Sequence, residues 1–230
     1  MKFKKKLIET LKLNIQLLKS SLQINSFGNA SIRHNDLCLI KPSGVNLELT
    51  KFLDISVVDI KSGKILSGKK PSVDLDIHLS VYKNFKDINS IIHTHSLYAT
   101  SWAQSGRSIP CYGTTHADYY PGEIPITDLL KKHEIKKYYE NEIGNSIIKK
   151  LKKNKITPKD IPGILILNHG VLSWGNTDKT AIENAIAIEF IAQLAFNSEL
   201  INKSVRKLPK DLHNKHYNRK HGKNSYYGQK

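Results

Sequence analysis

Pro162-Gly163-Ile164-Leu165-Ile166-Leu167-Asn168-His169-Gly170-Val171-Leu172-Ser173-Trp174 is the stretch on which the reading of this chain turns. Its two apolar runs, 164–167 and 171–174, have the length and β-branched content of buried strands. The polar Asn-His-Gly between them presents a histidine at a strand end, before a glycine that lets the backbone turn. Thr177 and Asp178 then offer a capping signal for a long helix over 177–199. Working outward, Ile143, Ile147 and Leu151 form the inner stripe of a helix over 132–153. Residues 89–94 read as another buried strand, followed by a helix at 96–104 and preceded by one at 74–85. Short strands are expected at 37–40, 55–60 and 65–66, with turns at Lys41-Pro42-Ser43-Gly44 and Lys61-Ser62-Gly63-Lys64. Leu7, Leu11, Ile15, Leu18 and Leu22 mark an amphipathic helix over about 4–22. This alternation of strands and helices, without repeats or an internal linker, argues for a single α/β domain. From about Leu208 the chain turns polar and basic, and composition alone reads that tail as a frayed terminus.

The chain has 230 residues, 39% hydrophobic and 24% charged, enough for one core of ordinary size. The longest apolar-rich stretch, 185–196, is interrupted by Glu189 and Gln193. No segment reaches the roughly 20 apolar residues of a membrane-spanning helix. Met1-Lys2-Phe3-Lys4-Lys5-Lys6 has the charge of a signal-peptide start, but Glu9, Lys12 and Asn14 interrupt the apolar run such a signal needs, which argues against secretion. Cys38 and Cys111 form no CxxC, so neither a disulfide framework nor a cysteine zinc site is indicated, and a cytoplasmic location is expected. Lys and Arg total 36 against 20 Asp and Glu, a net charge of +16. Only Arg33, Arg107, Arg206 and Arg219 are arginine, and the lysines are spread along the chain. That pattern fits a lysine-rich solvent face better than a nucleic-acid surface, which favours arginine. A small anion such as a sugar phosphate would still be attracted.

His93-Thr94-His95 is the sharpest local signal. Side chains two apart on a strand share a face, so two imidazoles are presented together, as one metal ion requires. His169, at the end of the run 164–167, adds a third histidine of the same kind, and catalytic groups in α/β folds gather at strand ends. The metallo-β-lactamase pattern HxHxDH fails, because positions 97 and 98 hold Leu97 and Tyr98. Thr114-Thr115-His116-Ala117-Asp118-Tyr119 is a second polar cluster, read as a loop between Pro110 and Pro121. Its Asp118 suits either a general acid/base or a turn hydrogen bond. Gly28-Asn29, Lys41-Pro42-Ser43-Gly44 and Ser72 are turn elements whose N–H groups suit a phosphate.

Taken in order, these stretches resemble the L-ribulose-5-phosphate 4-epimerase family of the class II aldolase superfamily. The resemblance is carried by GlyAsnAlaSer (28–31), IleLysProSerGly (40–44), LysLysProSer (69–72) with Asp74, and IleIleHisThrHisSer (91–96). It continues through TrpAlaGln (102–104), SerIlePro (108–110), GlyThrThrHisAlaAspTyr (113–119) and ProGlyIleLeuIleLeuAsnHisGly (162–170). LysHisTyrAsnArgLysHisGly (215–222) and TyrTyrGlyGln (226–229) complete it. It implies a single class II aldolase-like domain over 1–230, a central, mainly antiparallel sheet flanked by helices, with residues 208–230 completing the active site. It implies one zinc per subunit, held by Asp74, His93, His95 and His169. The implied acid/base pair is Asp118 and Tyr227, the latter from a neighbouring subunit of a homotetramer. Gly28, Asn29, Ser43, Gly44, Ser72 and Val73 would contact substrate, supported by His216 and Arg219.

The implied reaction inverts C4 of L-ribulose 5-phosphate, giving D-xylulose 5-phosphate, by retro-aldol cleavage of C3–C4 and re-addition to the other aldehyde face. It would serve arabinose or ascorbate breakdown. A sugar-phosphate aldolase of the same superfamily is the first rival. Asp74, where those aldolases use glutamate, favours the epimerase, as do Asp118 and Tyr227. A basic nucleic-acid-binding protein, needing no metal, is the remote rival. One departure stands out: the family's Ser-Ser-Asp is here Ser72-Val73-Asp74. A lost hydrogen bond to a charged group costs roughly 1.5–3 kcal/mol, so weaker phosphate binding is expected, with the Val73 N–H still present.

Overall fold

The computed structural model describes residues 3–23, 25, 27–223 and 225–226. The strands are β1 (Asn29–His34), β2 (Leu37–Ile40), β3 (Ser56–Asp59), β4 (Ile65–Ser67), β5 (Ser90–Thr94), β6 (Gly163–Ile166) and β7 (Gly170–Gly175). The helices are α1 (Lys4–Lys19), α2 (Leu75–Asn84), α3 (Leu97–Gln104), α4 (Thr114–Ala117), α5 (Lys132–Lys153), α6 (Asp178–Ile201) and α7 (Lys210–His221). The strands form one seven-stranded sheet in the order β4-β3-β2-β1-β5-β7-β6, every neighbouring pair antiparallel.

Alternation along the strands sorts the core into two layers. Ala30, Ile32 and Ile92 face one side and pack with Leu13 and Leu17 of α1 and with Ala181 and Ile182 of α6. Leu39 and Val57 continue that side against Leu7. The opposite row, Cys38, Ile40, Val58 and Ile91, packs with Ile77 and Tyr82 of α2 in the main core, which also takes Ile143, Ile147 and Leu151 of α5. Those three α5 residues are buried, as their spacing required. Thr177 caps α6, its hydroxyl accepting the Thr180 N–H at 3.0 Å. Among the described residues, no helix is long and apolar enough to cross a membrane.

The structure corrects four local expectations. A strand, β1, runs directly from the Gly28-Asn29 turn. Its row facing α2 is wholly polar, so no apolar alternation announces it. Asn29 donates to Asp74 Oδ2 (2.7 Å), Ser31 Oγ lies 2.7 Å from His78 Nδ1, and Arg33 donates to the Phe85 carbonyl (2.9 Å). The first helix stops at Lys19 rather than continuing to 22, because Ser21 takes a left-handed φ of 61°. Residues 114–117 form the short helix α4 in place of a loop. The basic tail contains α7, pinned by polar anchors: His213 Nε2 lies 3.0 Å from the Tyr120 carbonyl, and the Tyr217 hydroxyl donates to that of Asp160 (3.1 Å).

Candidate active site

His93 leaves β5 on the face that carries Ile91, with Asn29 of β1 and Leu172 of β7 as its register partners. It is fully buried, and its Nδ1 lies 3.0 Å from the Val171 carbonyl. A carbonyl only accepts, so Nδ1 carries the proton and Nε2 keeps its lone pair. His95 follows just beyond the strand, and His169 sits in the turn between β6 and β7. Their Nε2 atoms lie 3.0 Å and 3.1 Å from His93 Nε2, and the three ligand atoms fall within 4.8 Å of one another.

This donor set fits a metal ion. Tetrahedral zinc with bonds of about 2.0–2.1 Å would hold its nitrogen ligands roughly 3.3–3.4 Å apart. Burial holds all three imidazoles below the ordinary histidine range, His93 down to about 3. They are therefore neutral and ready to ligate without giving up a proton.

Asp74 stands beside this group but is not one of the converging three. It precedes α2, and its Oδ2 accepts from Asn29 Nδ2 (2.7 Å) and, at 3.4 Å, from the Ser72 hydroxyl. Burial alone would raise its carboxyl; His93, His78, His169 and the Asn29 hydrogen bond outweigh that and hold it low.

The glycines here have tasks the sequence did not disclose. Gly28 has φ +100°, and a Cβ there would stand 2.9 Å from the His93 carbonyl. The left-handed turn residue before His169 is Asn168 (φ 59°), not Gly170. Gly170 lies in β7, where a Cβ would meet the Thr94 carbonyl at 2.5 Å and His93 Cε1 at 3.2 Å. Both glycines let backbone close on the histidines.

Ser43, Gly44, Ser72 and Val73 border the same end of the sheet. An isolated bridge pairs Pro42 with Pro71, the Ser43 N–H donates to the Lys70 carbonyl and the Ser72 N–H to that of Lys41. Gly44 has φ +63° with open space around it, and Val73 is 63% exposed. Two further residues stand at this site that sequence reasoning did not single out. Lys41 is buried, its Nζ donating to the Gly28 carbonyl (3.2 Å), with its ammonium lowered by burial and partly restored by Asp74. A lysine inside an otherwise ordinary Pro-Ser-Gly turn was the available signal. Tyr139, whose hydroxyl lies 3.1 Å from His169 Nδ1, gave none.

Asp118 lies elsewhere. It is the last residue capping α4, and Arg219 of α7 clamps it through two bonds, Nε to Oδ1 (2.9 Å) and Nη2 to Oδ2 (2.6 Å). His216 Nδ1 lies 3.3 Å from Oδ1, and His221 Nε2 lies 2.9 Å from the Asp118 carbonyl. Burial would raise the carboxyl, but Arg219, Lys220 and His216 hold it below the ordinary range. His216 and Arg219, expected to support the substrate site, thus both contact Asp118. Asp118 lines a cavity of about 680 Å³ with Asn89, Trp174, Gly175 and Lys220. That is the Ser90 end of β5 and the Gly175 end of β7, whereas the histidines occupy the other end of those strands. A four-residue strand spans roughly 10 Å. Asp118 therefore does not face the histidines of its own chain, which corrects the expectation of an own-chain Asp118 at that centre. Tyr227 lies outside the described residues; Tyr226, just before it, donates its N–H to the Arg219 carbonyl (3.0 Å).

A family model for the class II aldolase and adducin N-terminal domain matches residues 9–196. L-ribulose-5-phosphate 4-epimerase UlaF of Salmonella paratyphi B is 41% identical over 220 residues, covering 94% of this chain and 95% of its own. The protein of that name from Salmonella typhi gives the same identity and coverage. Among solved structures, an L-fuculose 1-phosphate aldolase superposes with a TM-score of 0.79 at 23% identity, covering 92% of this chain and 94% of its own. An L-fuculose-1-phosphate aldolase from Thermus thermophilus gives 0.68 at 18%, covering 89% and 100%. These structural likenesses speak to the fold.

Proposed function

The chain belongs to the class II aldolase and adducin family, and from that premise we propose that it is a zinc-dependent L-ribulose-5-phosphate 4-epimerase, a cytoplasmic homotetramer. The observation that carries this reading is the likeness to the epimerases over 94% of the chain. The family domain ends at residue 196, so that coverage runs well past it, toward the segment bearing His216 and Arg219. Substrate discrimination within a shared fold is a property of such site segments, not of the sheet.

We assign His93, His95 and His169 as zinc ligands and Asp74 as the fourth. When bound, the ion would supply Lewis-acid polarisation of the substrate oxygens. The chain's own residues do the rest. Gly28-Asn29, Ser43-Gly44, Ser72 and the Val73 N–H bind and orient the sugar phosphate. In the cleavage direction a base takes the proton of the C4 hydroxyl, C3–C4 breaks, and the bonding pair stays on the three-carbon fragment. Once the aldehyde has turned, the same pair attacks its other face, and an acid there protonates the new alkoxide. Two groups on opposite faces are needed, and we assign Asp118 and Tyr227.

The sheet separates Asp118 from the histidines of its own chain, so the proposed site is shared: the histidine end of one subunit meets the Asp118 end of another. This revises the expectation that only Tyr227 crosses between subunits. Tyr227 lies outside the described residues, and its assignment as the second acid/base group rests on the family resemblance.

Incubating the metal-loaded protein with L-ribulose 5-phosphate tests the reading. D-xylulose 5-phosphate as the product supports it. Accumulation of free glycolaldehyde phosphate with dihydroxyacetone would identify an aldolase instead.

A further inference from the structure

Helix α5 is broken at Tyr138, whose φ of −148° and ψ of 55° are not helical. The break separates two adjacent tyrosines. Tyr138 is 61% exposed and its ring lies beside Lys137, whose Nζ is 5.7 Å from the ring centroid. Tyr139 is turned inward, its ring stacked at 6.0 Å and 26° on His169 and its hydroxyl 3.1 Å from His169 Nδ1.

His169 needs such a partner more than the other two histidines. His93 is fixed by a paired strand and a carbonyl on its Nδ1, and His95 directly follows that strand. His169 stands in a turn, beside the left-handed Asn168. Its Nε2 faces His93 Nε2, and its Nδ1 faces the Tyr139 hydroxyl. We propose that Tyr139 is the positioning residue for the metal centre: its hydroxyl oxygen accepts the His169 Nδ1–H, fixing the tautomer and turning Nε2 toward the ion. The inference rests on the proposed metal site. An ordinary phenol is a neutral hydroxyl at neutral pH. Outer hydrogen bonds of this kind typically hold 10–100-fold in metal affinity.

The test is zinc affinity measured at neutral pH by competition with a chromophoric chelator, on the full chain and two variants. Tyr139→Phe keeps the ring and removes only the acceptor. It should bind zinc about tenfold or more weakly, shift the visible absorption of the cobalt-substituted protein, and leave the metal-free unfolding midpoint unchanged. Tyr138→Ala, across the same helix break, should bind zinc like wild type. Equal affinity in Tyr139→Phe and wild type would overturn the proposal. So would an equal loss in Tyr138→Ala, or a fall in the metal-free midpoint that accounts for the affinity loss, since either assigns the effect to the helix. A wild-type chain that holds no zinc would instead overturn the metal reading itself, and this inference with it.

Discussion

At the histidine end of the sheet, His93 leaves backbone that is paired on both sides, between β1 and β7, with His95 just beyond the strand and His169 in the adjoining turn, and glycines at 28 and 170 let the neighbouring chain close on His93. At the Asp118 end, the carboxylate leaves a four-residue helix and is held by side chains of α7. The first end is positioned by hydrogen-bond ladders that also build the core. The second is positioned by ion pairs from a helix near the C-terminus, whose described residues are mostly polar and exposed. Ligands can be deleted from the first without unfolding it, because the strands remain. The second depends on its partners' charges, and its geometry should respond to pH.

The largest expected effect tests the ladder-held end. His95→Asn should abolish zinc retention and epimerisation while leaving the unfolding transition of the metal-free protein nearly intact, since His95 lies beyond the paired part of β5. Metal analysis after gel filtration, with thermal unfolding of the stripped protein, checks both halves. Retained activity at background metal content would show the assignment to be wrong.

Asp118→Asn should lower epimerisation by roughly 10²–10⁴-fold, the usual contribution of an acid/base group, with zinc content unchanged. Loss of zinc in this variant would join the two ends that the sheet keeps apart.

The side-chain clamp predicts a smaller effect with a defined pH sign. The Asp118 carboxyl is held below its ordinary range, so its contribution to stability is full above that range and is lost as pH falls through the lowered value. Arg219→Ala should therefore cost about 1–2 kcal/mol near pH 7, after allowing for solvent screening of a partly exposed pair. The gap to wild type should narrow at about pH 3, where carboxyls protonate. Urea unfolding at both pH values measures it, and a gap that is the same at both would assign the loss to packing.

The smallest effect belongs to Val73. Because this residue is 63% exposed, Val73→Ser should change stability by less than about 0.5 kcal/mol. A new hydroxyl toward phosphate should lower KM for the sugar phosphate by up to about tenfold, below the full worth of a charge-assisted bond. An unchanged KM would place the phosphate away from residue 73.

The two ends were also unequally legible. His93 and His95 share a strand face by the simple alternation of β structure, and His169 closes an apolar strand, so their convergence follows from local pattern. β1 was hidden because its inward row, Asn29, Ser31 and Arg33, offsets its burial with polar partners on and around α2 instead of apolar contacts. α7 was hidden for the same reason, with His213, Tyr217 and Arg219 anchoring it through hydrogen bonds that only the folded chain supplies. The separation of Asp118 from the histidines depends on strand order and on where α4 packs, which no local spacing encodes. The family resemblance implied that Asp118, His216 and Arg219 serve one site, and in the structure His216 and Arg219 contact the Asp118 carboxylate.

Co-assembly of variant subunits tests the shared site most directly. Each variant should be strongly impaired alone and carries its lesion at one end of the sheet. Mixed oligomers of His95→Asn and Asp118→Asn subunits should regain activity, because some interfaces pair an intact histidine end with an intact Asp118 end. Absence of rescue in verified His95→Asn/Asp118→Asn hetero-oligomers would place both ends in one subunit's site and contradict the account.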